Sequence, residues 1–214
     1  MKNFITYIID KDLKENKYSE LAFRFPPEPN GYLHIGHAKS IVLNSWLAKN
    51  YNATLYLRLD DTNPETEKDV YAKAIIKDAE WLTLKKFHKI TYTSDYFEII
   101  YNAAKFLIKK GLAYVDLTNS EDLKESRGGF SNSDKESVYR NKNVEDNLYE
   151  FERMKNGYYK DGEAILRAKI DLKHPNMNMR DPIMYRVKNS YHYRTKITGV
   201  FILCMILLIL LEIV

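Results

Sequence analysis

The chain contains a single cysteine, Cys204, so no disulfide framework can staple it, and a reducing, cytoplasmic setting is expected. It has no amino-terminal apolar core with a small-residue cleavage site. The first residues read MKNFITYIIDKDLKENK, which argues against a secretory leader. No internal repeat and no low-complexity linker is visible. No apolar run reaches the ~18–20 residues that cross a bilayer as a helix. The best one, Val200 to Leu211, stops at Glu212, so no membrane partner is expected. Excess charge of one sign is also missing. There are 33 Lys and Arg against 29 Asp and Glu, a net +4, which permits a polyanionic partner without requiring one. A length of 214 residues supports one or two domains with their own cores.

What is present is an ordered alternation of elements. Phe4, Ile5, Ile8, Ile9 and Leu13 recur at helical spacing, predicting an amphipathic helix over Asn3–Glu15. Leu21–Phe25 reads as a short buried strand. Pro26, Pro27 and Pro29 then forbid both helix and ladder bonding, so the strand leaves into a loop. Gly31 can take backbone conformations closed to other residues. A helix is predicted over Leu33–Asn50, a strand over Thr54–Leu59, and a loop at Asp60–Pro64. A helix over Thr66–Leu82 would bury Val70, Ala74, Ile75, Ala79 and Leu82, and Thr91–Thr93 would add a third strand. Strand, helix, strand, helix, strand is the first half of a doubly wound parallel sheet.

The texture changes after Ser94. A helix over Tyr96–Lys110 ends at Gly111, and a strand follows at Ala113–Asp116. Arg127–Ser137, polar with two glycines, reads as a loop or hairpin tip. Val144–Asn156 reads as a helix, and Ala164–Ile170 and Ile183–Val187 as strands. The expected fold is α/β with an inserted α+β domain.

The chemistry concentrates in Arg24–Ser40, RFPPEPNGYLHIGHAKS. A turn between a first strand and its helix exposes unpaired backbone N–H groups and the positive end of the helix dipole, which suits phosphate. His34 and His37 in that turn can donate hydrogen bonds to phosphate oxygens and stabilise charge that builds at phosphorus. The alternative is that they simply cap the helix; two histidines beside a Pro/Gly loop favour the ligand role. Lys39 lies close by. Asp60 and Asp61 end a strand at the sheet edge where ligands bind, and a carboxylate there suits an ammonium group. Asp61 or Thr62 could instead cap the next helix. Arg24 could read an amide or carboxylate oxygen, or pair with Asp60.

This stretch, with LRLDDTNP, TSDYF, GLAYVD, LRAKID and MRDPIMYR, resembles the glutaminyl-tRNA synthetase family of class I aminoacyl-tRNA synthetases from Asn3 to about Thr195. The resemblance implies a Rossmann-like catalytic half over residues 1–94 and an acceptor-stem-binding insertion over 95–195. It implies ATP binding by Glu28, Pro29, Asn30, His34, Ile35, Gly36, His37, Ala38, Lys39 and Ser40, with His34 and His37 catalytic. Asp60 would hold the α-amino group of glutamine and Arg24 would line its pocket. Mg²⁺ would arrive with ATP and no tightly bound metal is expected. The partners implied are tRNA(Gln), glutamine and ATP, acting on a monomer. Glutaminyl-adenylate would form first, and the terminal ribose 2′-hydroxyl of the tRNA would then take the aminoacyl group. In the insertion, Arg127 and Phe130 match the tip that meets the acceptor stem, Phe130 standing where the family carries a leucine wedge. Arg140, Lys142, Arg153, Arg167, Lys169, Arg180 and Arg186 would supply further cations for phosphate, with an ordinary solvated surface as the alternative for about half of them.

Residues 196–214 depart from the family. An in-frame chain would continue roughly as NNWGIYPMYDFTH. A coding string for that segment, read after the loss of one base, yields ITGVFILCMILLI, which is Ile197 through Ile209. The tail is therefore read as out-of-frame translation, and this chain as inactive in aminoacylation. The alternatives are a glutamyl-tRNA synthetase of the archaeal and eukaryotic type, a noncatalytic acceptor-stem binder, and, weakest, a tail-anchored membrane protein.

Overall fold

The computed structural model describes residues 3–84, 87–119, 122–123, 134–196 and 198–203. The chain divides into two compact units, Met1–Asp61 with Thr66–Thr93, and Thr62–Glu65 with Ser94–Val214.

The first unit runs α1 (Phe4–Lys14), β1 (Ala22–Phe25), α2 (Ile35–Asn50), β2 (Thr54–Leu59), α3 (Asp69–Thr83) and β3 (Lys89–Tyr92). The three strands form a parallel sheet in the order β1-β2-β3. Phe25 lies opposite Leu57, and Leu57 opposite Ile90, so all three share one face. That face packs on Ile41 of α2 and Ala79 of α3, with Phe87 closing one end. A second small cluster joins Leu59 to Ala72 and Ile75, and Leu33 and Ile76 touch both clusters. The carboxyl ends of the strands, Phe25, Leu59 and Tyr92, open into the loops that carry the candidate site.

Three expectations are corrected here. α3 starts at Asp69, with Lys68 as its N-cap residue and no side-chain cap, so neither Asp61 nor Thr62 caps it. The Lys68 N–H is bound to the Pro29 carbonyl at 3.0 Å, which anchors the helix start against the proline loop. Its buried face is Ala72, Ile75 and Ala79, while Val70 is exposed. α1 forms as expected, capped by a reciprocal Asn3–Thr6 box (3.0 and 2.9 Å), but buries only Thr6 and leaves Phe4 and Ile8 in solvent. It is tied down instead by the Tyr51 hydroxyl, which donates to Asp10 Oδ1 at 2.7 Å. Helical spacing shows a stripe; it does not show whether another element covers it.

The second unit contains α4 (Phe97–Lys109), β4 (Ala113–Asp116), α5 (Val144–Lys155), β5 (Ile165–Ala168), β6 (Ile183–Tyr191) and β7 (Thr198–Leu203). Its sheet is antiparallel in the order β4-β5-β6-β7. One continuous core joins Ile100, Ala104 and Ile108 of α4 to Phe151 and Met154 of α5 and to Val115, Leu166, Tyr185 and Val187 of the sheet. Tyr101 stacks on Phe151 at 5.1 Å. Gly111 ends α4 in a left-handed conformation (φ 70°), as its position suggested. β6 runs beyond Val187 because β7 pairs with it: Ser190 faces Gly199 and Tyr191 faces Thr198. The start of the apolar tail is therefore a strand. Among the described residues no helix is long and apolar enough to cross a membrane.

Candidate functional site

The turn into α2 is built by its own histidines. His34 keeps an extended backbone (φ −130°, ψ 176°) and is the N-cap residue, so the helix begins at Ile35, two residues later than the spacing predicted. Its Nδ1 accepts the Gly36 N–H at 3.0 Å, and the His34 N–H donates to Nδ1 of His37 at 3.1 Å. Two of the orphan donors at this end of the helix are satisfied by imidazoles. The capping alternative is thus realised, yet it uses only one nitrogen of each ring. Because each Nδ1 accepts, each neutral ring carries its proton on Nε2. Among the described residues no hydrogen bond engages either Nε2, so two N–H donors remain available on rings 4.0 Å apart.

Gly36 has a steric reason. A Cβ there would lie 2.7 Å from His34 Cε1 and 3.0 Å from its Nδ1. Any larger residue would push the ring off the helix end and break the cap. Burial, followed by the neighbouring His34 ring, moves the His37 imidazole below its ordinary range. Its ring edge meets Phe25 at a centroid distance of 6.4 Å. Of the other residues in this turn, Ile35 and Lys39 are exposed, and Ala38 and Ser40 are half-buried.

The proline loop is tied to β2. The Asp60 N–H donates to the Pro27 carbonyl at 2.8 Å, extending the β1–β2 ladder past the strand ends. Pro29 is buried, and Asn30 Nδ2 donates to Glu28 Oε2 at 2.9 Å, both side chains facing solvent. Asp60 is half-buried, and its Oδ1 accepts the hydroxyl of fully buried Thr93 at 2.9 Å. Thr93 aims the Asp60 carboxylate from the end of β3. Sequence reading missed this residue, since a threonine after a short strand carries no signal until the strands are aligned. Asp61 is fully buried. Arg24, half-buried on β1 opposite Tyr56, lies on the sheet face away from Phe25 and Leu57. Arg127 and Phe130 lie outside the described residues.

The cations of the second unit sort by burial. Arg167 and Arg180 are buried, bound to Asp116 (3.1 Å) and Asp134 (3.6 Å), so they do not contact phosphate as the sequence suggested. Arg140 is bound to Asp181 at 2.6 Å, and Arg153 to Glu150 at 3.1 Å with its guanidinium 3.6 Å over the Tyr158 ring. Arg186 is exposed.

The chain is 52% identical over 193 residues to the glutamine–tRNA ligase of Haemophilus influenzae (strain 86-028NP), covering 90% of this chain and 35% of that protein. It is 51% identical over 193 residues to the enzyme of Clostridium kluyveri, covering 90% and 34%. The chain therefore spans about a third of the length of these curated relatives. Among solved structures, a glutamate tRNA ligase from Elizabethkingia meningosepticum, in complex with its amino acid, superposes with a TM-score of 0.56 at 18% identity over 78% of this chain and 39% of that one. The glutamate–tRNA synthetase of Elizabethkingia anophelis gives 0.57 at 18% identity over the same shares. These show the shared fold. The model of the class I tRNA synthetases (E and Q), catalytic domain, matches residues 20–200, and the chain belongs to that family.

Proposed function

We propose that this chain carries the ATP- and glutamine-handling turn of a glutamine–tRNA ligase, which activates glutamine as an adenylate and transfers it to tRNA. The observation that carries this reading is the pair of imidazoles at the start of α2. Their Nδ1 atoms are locked by the cap, and their Nε2–H donors are left for an anion. The negative charge that grows on the α-phosphate as the glutamine carboxylate attacks would fall on donors already oriented, without reorganisation. The α2 dipole adds to that field. Asp60, fixed by Thr93 and the Pro27 carbonyl, would hold the α-ammonium of glutamine, with Arg24 on the same sheet edge lining its pocket. Glu28, Asn30 and Lys39 would complete the nucleotide-binding segment. Mg²⁺ arriving with ATP would supply positive charge to its phosphates. The second unit would receive the tRNA acceptor stem, with Arg127 and Phe130 at its tip. The names of the curated relatives support glutamine as the amino acid.

A chimera tests the reading. Residues 20–195 replace the aligned segment of the Haemophilus influenzae enzyme, and ATP–pyrophosphate exchange is measured with glutamine and with glutamate. Glutamine-dependent exchange that falls in the His34→Ala variant supports it. Exchange with glutamate alone, or no dependence on His34, overturns it. The one-base shift near Lys196 belongs to the same reading. Genomic reads that encode the Ile197–Ile209 segment with no displaced frame beneath it would refute the shift.

A further inference from the structure

The second unit holds a buried charge cluster that the proposed chemistry does not use. Asp116 ends β4, Arg167 lies on β5, Asp181 precedes β6, and Arg140 precedes α5. Arg167 Nη1 donates to Asp116 Oδ2 at 3.1 Å, and its Nε to the Asp181 carbonyl at 2.7 Å. Arg140 Nε donates to Asp181 Oδ2 at 2.6 Å, and the Tyr114 hydroxyl to the same oxygen at 3.2 Å. Asp181 Oδ1 accepts the Ile170 N–H at 2.8 Å. Asp181 also keeps a left-handed backbone (φ 41°), rare for a residue with a side chain and held only where the surroundings enforce it.

Such a cluster stabilises a fold weakly, because desolvating four charges offsets most of their attraction. What it does supply is geometry. Asp116 Oδ1 accepts the Thr118 N–H (3.0 Å), the Thr118 hydroxyl (2.6 Å) and the Ser137 hydroxyl (3.1 Å). Asp181 holds Arg140 from the other side. The two flanks of the connection between β4 and α5, around Thr118 and around Ser137–Arg140, are thus pinned to the carboxylates of two buried aspartates, and Arg167 ties the Asp116 carboxylate to the Asp181 backbone carbonyl. The second flank carries Lys135 and Lys142, and Lys169 Nζ is bound to Asn141 on it at 2.9 Å.

We propose that Asp116, Arg167, Asp181 and Arg140 are positioning residues, which fix the flanks of this connection so that Lys135, Lys142 and Lys169 meet RNA phosphates in one register. The proposal rests on the acceptor-stem reading above. Asp181 is the decisive position, because its side chain is fully buried and cannot touch RNA itself.

The test uses the whole chain and an RNA hairpin with a single-stranded 3′ end, with affinity followed by fluorescence anisotropy. Asp181→Asn keeps the shape and removes the charge, and is expected to weaken binding by about tenfold to a hundredfold, as misplacement of contacts does. Ile100→Ala, a cavity in the same core, controls for stability and is expected to leave affinity unchanged at temperatures well below its melting point. Hydrogen exchange at the Ile170 amide is expected to accelerate in Asp181→Asn. Should that variant fail to fold, Arg140→Gln replaces it and Arg140→Lys is expected to restore part of the loss. Unchanged affinity in Asp181→Asn, or loss equal to that in Ile100→Ala, overturns the positioning role while leaving RNA binding intact. Weaker binding of Arg140→Gln with no change in exchange would overturn it too, since Arg140 would then contact RNA directly. A wild-type chain that does not bind the hairpin overturns the acceptor-stem reading, and the positioning role with it.

Discussion

The two units solve the packing problem differently. The second closes an antiparallel sheet and two helices around one contiguous core, with Phe151, Met154, Leu166 and Val115 buried in a single cluster. The first places a parallel sheet of three strands under α2 and α3, and its core splits into two small clusters bridged by Leu33 and Ile76. Parallel sheets are ordinarily covered on both faces. Here the face bearing Arg24 and Tyr56 is the polar one. The candidate chemistry sits in the unit with the smaller core, at strand ends that open into loops. The larger core supports the buried ion cluster. Fixing donors on a turn needs local capping more than a deep interior, whereas holding buried charges in register needs a rigid surround.

Substitutions can break or sharpen this contrast. The largest effect is expected from Phe151→Ala, which removes the ring joining α5 to Tyr101 and Tyr185 and should destabilise the second unit by about 3–5 kcal/mol. Urea unfolding followed by hydrogen exchange should show the loss in β4 and β5 and leave β1–β3 protected. Next, His34→Ala in the chimera should slow glutamine-dependent exchange by about 10²–10³-fold, as loss of an oriented donor does. Gly36→Ala should lower the same rate with little change in circular dichroism, because its Cβ displaces the His34 ring without entering the core. A full loss of helix signal in Gly36→Ala would refute the local nature of the cap. Asn3→Ala should cost about 1 kcal/mol, confined to α1, since the helix loses its capping box and has little burial to hold it. The smallest effect concerns pH. The folded pKa of His37 lies below its unfolded value, so its stabilising contribution is present above the ordinary imidazole range and is lost as pH falls through the lower folded value. A ¹H–¹⁵N titration of the imidazole nitrogens should show His37 protonating below the ordinary value near 6.5, with the His34 N–H released from its Nδ1. Titration of His37 above that value would contradict the burial seen here.

Much of this was legible in one dimension. Thr54–Leu59 and Ala113–Asp116 fall where the apolar runs placed them, because a short buried strand leaves little choice of bounds. The proline loop, the stop at Gly111 and the order of elements followed from φ restrictions that act on single residues. The start of α3 was misplaced because its anchor is the carbonyl of Pro29, distant in the chain. The exposed stripe of α1 looked like core because periodicity reports a pattern without reporting a neighbour.

The candidate site divides in the same way. That His34 and His37 share a turn with Gly36 was fixed by sequence alone, since a three-residue spacing at a helix start brings two rings together wherever it occurs. Only the tertiary structure decided which nitrogen each ring keeps free, that Thr93 steadies Asp60, and that Arg167 and Arg180 are committed to buried carboxylates. The reason is that hydrogen bonding and burial depend on partners supplied by other elements, and chain order records residue types without recording which of them will meet.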